Sequence, residues 1–226
     1  MARRQFAVIG LGRFGSAMAT SLADLGQDVI GVDSDAEKVR QLADTITQAV
    51  ELDATDERAL RTVGIQDVDV AVVSIGENIE SSLLVVMQLR ELGVTSIIAK
   101  AVTPLHGRIL QKLGVSRVSF PEREMAMRIA HSLVMPNVID YIELSSDFSI
   151  VELPAPDLFI GRTLKQLELR PKYGLTLIAI KRRAGATGAE STNISPAADE
   201  IIRAGDTLSL LGGNEKLSAL DAMLKR

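Results

Sequence analysis

The sequence predicts an α/β fold, a doubly wound parallel sheet followed by a smaller α+β lobe. Three observations carry that prediction. Short apolar runs alternate with helical patterns from Gln5 to about Phe120, the rhythm of βαβ units. Glycines fall as G-x-G-x-x-G at Gly10, Gly12 and Gly15, directly behind the first apolar run. From about Ile150 the rhythm changes to short strands separated by turn clusters.

The elements follow in order. Phe6–Ile9 reads as a buried strand and Phe14–Leu25 as the helix after it. Val29–Val32 is the second strand, and Ser34 is the expected cap of a helix starting near Asp35. Gln48–Leu52 is a third strand, and Thr55 or Asp56 caps a helix over Glu57–Val63. Val68–Ile75 is almost wholly apolar, as a parallel strand covered on both faces should be. Helix Ile79–Leu92, strand Ser96–Lys100, helix Pro104–Leu113 and strand Arg117–Phe120 complete six strands. Glu122–Leu133 is a further helix with an apolar stripe through Met125, Ile129 and Leu133, and Pro136 ends it. Residues 1–135 are therefore expected to form the first domain, 136–149 a connector, and 150–226 a small second lobe. In that lobe, strands are expected at Ile150–Leu153, Leu175–Lys181 and Thr207–Leu211. Short helices are expected at Thr163–Leu169 and Asn214–Leu224, with a polar hairpin tip over Gly185–Asn193.

Composition narrows the function. With 46% hydrophobic residues, 226 residues can bury a sizeable core. Aromatics are only 3% and the net charge is −4 without a long basic run, which argues against a nucleic-acid partner. Cysteine is absent, which removes disulfides, thiolate metal sites and a cysteine nucleophile. The chain enters its first strand within a few residues, leaving no room for a signal peptide. No window approaches the roughly 18 apolar residues of a spanning helix. A cytoplasmic protein is expected.

The candidate site grows from the glycine turn. Gly10 permits the tight turn, Gly12 lets a phosphate approach the backbone, and Gly15 lets the helix pack close to the sheet. The helix N-terminus beginning at Phe14 then presents N–H groups and a positive dipole end to an anion. Asp33 ends the second strand about 20 residues on, where a carboxylate takes ribose hydroxyls and repels a 2′-phosphate. Arg13 sits inside the turn, where a guanidinium favours a more highly charged ligand such as a nucleoside di- or triphosphate; the alternative is a solvated arginine paired with a carboxylate. Ligands of open α/β sheets bind beyond the carboxyl ends of the strands. Asp53, Ala54, Ser74, Ile75, Gly76, Asn78 and Lys100 are therefore candidates to flank the nucleotide, or else ordinary loop and cap residues. Glu122 either complements a helix dipole or ligates a cation between phosphates. His106 and His131 lie in helical stretches and read as packing or surface residues. No catalytic triad order or Walker motif appears, so no enzyme activity is expected. An NAD-dependent oxidoreductase or an NAD(H)-binding redox sensor is the competing reading.

The stretch Val8–Gly15 with Asp33 resembles the N-terminal domain of RCK (regulator of K⁺ conductance) proteins. Asp53-Ala54-Thr55, Ile75-Gly76-Glu77-Asn78, Ala99-Lys100-Ala101 and Pro121-Glu122 recur at that family's spacing. Tyr141–Ser149, Val151-Glu152-Leu153, Arg170–Gly174 and Ser195-Pro196 resemble its C-terminal lobe, so the likeness covers essentially the whole chain. The length fits the Ktr type, which carries this two-domain unit once, rather than the Trk type, which carries it twice. The resemblance implies a dimer that assembles into an octameric ring beneath a membrane K⁺-translocating subunit, at the inner face of the cell membrane. It implies competing ATP and ADP, with ATP favouring conduction. Arg13 would read the terminal phosphate, Ser34 and Asp33 would lie at the ribose, and Glu122 would hold Mg²⁺ or Na⁺. It also implies cyclic di-AMP in the second lobe near Arg170, Lys172, Ile178 and Pro196. Pro171 and the longer polar hairpin after Arg183 depart from the family pattern there.

Overall fold

The computed structural model describes residues 3–135, 137–184 and 189–224. They divide into two compact units, Met1–Pro121 and Glu122–Arg226.

In the first unit, β1 (Gln5–Ile9), β2 (Asp28–Asp33), β3 (Gln48–Glu51), β4 (Val70–Val73), β5 (Ile97–Lys100) and β6 (Arg117–Ser119) alternate with helices. These are α1 (Arg13–Asp24), α2 (Ala36–Leu42), α3 (Glu57–Thr62), α4 (Ile79–Glu91) and α5 (Pro104–Lys112). The sheet runs β3-β2-β1-β4-β5-β6, and every pairing in it is parallel. Strand order therefore reverses between β1 and β4, which opens a crevice at their carboxyl ends. The side-chain alternation of the central strands feeds two separate cores. Ala7 and Ile9 with Ala71 and Val73 join one buried cluster, and Val8 with Val72 joins the other. Near-continuous apolar strands are what a sheet covered by helices on both faces requires.

Caps set the helix starts. The Asp56 side chain accepts from Arg58 N–H and the Asn78 side chain from Ser81 N–H. The expectation that Ser34 caps α2 is corrected: Asp35 is the cap, its carboxylate accepting from Glu37 N–H at 2.9 Å. Asp35 wins because its own N–H donates to Asp33 Oδ1, which closes the turn one residue later. The fourth strand is shorter than expected, Val70–Val73. The apolar residues on either side belong to a tight helical turn and to the site loop.

His106 on α5 is packed inside at 1% exposure. Its Nδ1 accepts from Val102 N–H at 3.4 Å, so the neutral ring carries its proton on Nε2. Burial holds its pKa below the usual histidine value of 6.5. As pH falls below about 6.5 the unfolded chain takes up a proton that the folded chain resists, so stability drops. Thermal melts between pH 7.5 and 5 will show this loss, and His106→Gln will flatten that segment of the curve. An unchanged slope in the variant would refute the assignment.

The second unit opens with α6 (Pro121–Val134) and contains a five-stranded antiparallel sheet. Its strands are β7 (Asp140–Glu143), β8 (Phe148–Pro154), β9 (Thr176–Ala184), β10 (Ala189–Ile194) and β11 (Thr207–Gly213), ordered β10-β9-β11-β8-β7. Helices α7 (Leu164–Leu167), α8 (Leu169–Tyr173) and α9 (Asn214–Leu224) accompany it. Val151, Leu153, Leu208, Leu210 and Ile180 form the buried side of the sheet with Phe159 and Leu217. Three expectations change here. The stretch expected to be a connector contains β7. The expected helix Thr163–Leu169 is two short helices, broken where Glu168 adopts φ 48°. Residues 189–193, expected in a hairpin tip, belong to β10 and pair with β9. Pro136 and the rest of that tip, 185–188, lie outside the described residues. The stripe expected on α6 is exposed, Met125 at 51%, Ile129 at 53% and Leu133 at 78%.

Candidate functional site

The glycine turn fills the space between the ends of β1 and β4. Gly10 has φ 91°, and its N–H donates to Val32 O on β2 at 2.8 Å, while Ser74 N–H donates to Ile9 O at 2.7 Å. These two bonds tie the turn to both neighbouring strands. A Cβ on Gly15 would lie 1.8 Å from Gly10 O, so α1 crosses the turn at a distance only glycine permits. A Cβ on Gly12 would meet nothing within 4 Å. Gly10 and Gly15 are thus demanded by the fold, whereas Gly12 faces open space.

Helix α1 begins at Arg13 with Gly12 as its cap, and no side chain caps it. Its first N–H groups are left for something other than a cap to satisfy. Arg13 is exposed, and among the described residues it forms no ion pair, so the alternative of a local carboxylate partner is not realised. Phe14 is half-buried beside it.

Asp33 has its side chain only 10% exposed. Its Oδ2 accepts from Leu11 N–H at 2.7 Å and its Oδ1 from Asp35 N–H at 2.9 Å. This carboxylate therefore anchors the glycine turn from the neighbouring strand. Sequence reasoning placed it at a ribose and missed the anchoring. It also missed Lys38, whose Nζ lies 3.8 Å from Asp33 Oδ1 and 3.7 Å from Asp35 Oδ2. Ser34 is exposed at the same edge.

Other strand ends contribute unequally. Ser74 is 7% exposed, and among the described residues its Oγ has no hydrogen-bond partner; a Cβ on Gly15 would sit 3.1 Å from it. Ile75 packs against Gly10, where a Cβ would meet its backbone nitrogen at 3.1 Å. A Cβ on Gly76 would lie 3.4 Å from Lys100 Nζ, so the ammonium is close to the loop after β4. Asn78 is committed to capping α4. Asp53 Oδ1 accepts from both N–H and Oγ of Thr55, bonds that hold its carboxyl below the usual range, while Ala54 is buried. The structure thus gathers Gly10, Gly12, Arg13, Gly15, Asp33, Ser74, Ile75 and Gly76 around the switch point. Asp53 and Asn78 are occupied with local turns.

Three of the expected residues belong to the second unit. Glu122 is exposed in the first turn of α6. Among the described residues no group of three or more His, Cys, Asp or Glu converges to hold a metal. Arg170 is exposed, and Lys172 pairs with Glu168 at 2.8 Å across one helical turn.

Comparison with known proteins gives this geometry a context. Residues 6–121 match the TrkA-N domain and residues 148–225 the TrkA-C domain. The chain is 41% identical over 219 residues to the Ktr system potassium uptake protein C of Bacillus subtilis, covering 97% of this chain and 96% of that protein. The chain belongs to the family of Ktr system potassium uptake proteins. The Ktr system potassium uptake protein A of Bacillus subtilis is 38% identical, with 96% of each chain covered. Among solved structures, the RCK domain of GsuK superposes with a TM-score of 0.64 at 19% identity, covering all of this Ktr-family chain and 48% of that one. That likeness concerns the fold, the parallel Rossmann-like sheet with its small C-terminal lobe. Among the described residues, no helix is long and apolar enough to cross a membrane.

Proposed function

We propose that this chain is the nucleotide-gated regulatory subunit of a Ktr-type potassium uptake system. The observation that carries the reading is the uncapped start of α1. Gly12 opens on free space there, and the exposed Arg13 guanidinium stands beside it. This is a site for a polyphosphate, in a chain whose relatives of nearly equal length are potassium uptake proteins. The phosphates of ATP or ADP lie over Gly12, and the ribose lies toward Asp33 and Ser34. Asp53 and Ala54 flank the base, and Ile75, Gly76, Asn78 and Lys100 close the opposite side. Glu122 supplies one carboxylate to Mg²⁺ or Na⁺, whose remaining ligands are phosphate oxygens and water. The first domain runs to about residue 135, the connector over 136–149 and the second lobe over 150–226. The last is the candidate lobe for cyclic di-AMP, with Arg170 and Lys172 as its cations.

Gating requires that a ligand bind two assembly states with different affinity. A contact made only with the terminal phosphate of ATP supplies such a difference, typically about 1–3 kcal/mol per site, and a symmetric assembly multiplies it. No bond need break. The exposed apolar stripe of α6 favours a homo-oligomer, from dimer to ring. The partner is a membrane K⁺-translocating subunit, which holds the chain at the inner membrane face.

A thermal-shift series with ATP, ADP, NAD, NADH and cyclic di-AMP tests the reading. A ligand at 100 times its dissociation constant adds about 2.7 kcal/mol. ATP and ADP will give the large shifts; a large shift with NADH and none with ATP would replace this reading with an NAD(H) sensor. Arg13→Ala will lower ATP affinity about tenfold or more while changing ADP affinity little, because a charge-assisted bond to the terminal phosphate is lost. Equal losses for both nucleotides would remove Arg13 from phosphate reading.

A further inference from the structure

We infer that Lys38 works with Asp33 as a two-sided reader of the ribose diol, and so selects ribonucleotides over 2′-deoxyribonucleotides. The inference rests on the nucleotide reading above. Asp33 alone is poorly equipped for the task, since its side chain is 10% exposed and each oxygen already accepts a backbone N–H. The open group at this edge is Lys38, 41% exposed. Its Nζ stands 3.8 Å from Asp33 Oδ1 and 3.7 Å from Asp35 Oδ2, beyond hydrogen-bond reach of either. Among the described residues it makes no hydrogen bond, so its three N–H donors are unspent. The two carboxylates nevertheless hold the ammonium in place by charge.

A carboxylate can only accept and an ammonium can only donate. A hydroxyl seated between them does both, donating to Asp33 Oδ1 and accepting from Lys38 Nζ. A vicinal diol satisfies the pair better still, with one hydroxyl on each. A 2′-deoxyribose leaves one partner unmatched at a partly desolvated site, which is where a missing hydroxyl is discriminated most strongly.

The test is calorimetric titration of the full chain with ATP and 2′-deoxy-ATP, for the wild type, Lys38→Met and Lys38→Arg. The wild type is expected to prefer ATP by about twentyfold, Lys38→Met by about threefold, and Lys38→Arg to recover most of the difference. A merely structural ammonium would change both affinities together and leave their ratio alone. An unchanged ratio in Lys38→Met, or a wild type that does not discriminate, overturns the inference while leaving the nucleotide reading standing. A wild type that binds neither nucleotide overturns both.

Discussion

Gly15→Ala will collapse the first unit around its nucleotide turn, at a cost of about 3 kcal/mol or more. The added Cβ would have to occupy a point 1.8 Å from Gly10 O. That is backbone against backbone, so no rotamer change can relieve it. Either α1 slides away from the sheet, uncovering Ala19 and the apolar face of β1, or the turn itself breaks. The turn has little freedom to move. Gly10 N–H is bonded to Val32 O, Leu11 N–H to Asp33, and Ser74 N–H to Ile9 O. Gly12→Ala is the matched control, because its Cβ meets nothing within 4 Å. That variant will melt like the wild type and yet lose nucleotide affinity, since the methyl fills space offered to the phosphate. Calorimetry will separate the two, with a transition lowered by about 10 °C for Gly15→Ala and unchanged for Gly12→Ala. A Gly15→Ala protein that melts normally would contradict the packing described for α1.

The same residues explain why part of the site was legible without coordinates. A glycine whose neighbour leaves no room, or whose φ is positive, cannot be replaced, so its spacing records geometry directly. Gly10 and Gly15 are of that kind, and Asp33 follows at the distance set by one βαβ unit. The sheet was equally legible, because parallel strands covered on both faces stay apolar whatever surrounds them. What stayed hidden depended on choices that sequence does not separate. Ser34 and Asp35 are both good caps, and only the bond from Asp35 N–H to Asp33 decides between them. Strand β7 has four residues at a sheet edge, with only Tyr141 turned fully inward, so its alternation is too short to stand out. Glu168 holds a left-handed conformation that sequence signals reserve for glycine and asparagine, so the break between α7 and α8 gave no warning. Lys38 carries no motif at all. Its meaning comes from two carboxylates that a turn and a cap bring within 4 Å of it.

Long-range pairing hides in the same way in the second unit, and the second large effect is expected there. Asp206→Ala will destabilise that unit by about 3 kcal/mol. Asp206 is 1% exposed and takes Arg182 through two bonds, Nε to Oδ1 at 2.8 Å and Nη2 to Oδ2 at 2.9 Å, and also accepts Arg203 N–H at 2.9 Å. Glu200 holds the other side of the guanidinium at 3.2 Å. Removing Asp206 strands a partly buried guanidinium and a backbone N–H together, and one remaining carboxylate cannot satisfy both. Burial alone would raise the Asp206 pKa, but the bonds from Arg182 and Arg203 N–H outweigh it and hold the carboxyl below the model value of 3.8. Its contribution is then complete above about pH 4 and is lost as pH falls further, when the folded state must take up the proton that the unfolded chain already holds. Acid titration of stability will therefore be shallower in Asp206→Asn than in the wild type below about pH 4. The pair Arg182→Met with Asp206→Leu supplies the decisive comparison. If the cost of Asp206→Ala arises from an orphaned charge, the double variant will recover much of it, because neither charge is then left buried without its partner. If it recovers nothing, the network stabilises the sheet through the geometry it imposes on β9 and the turn before β11.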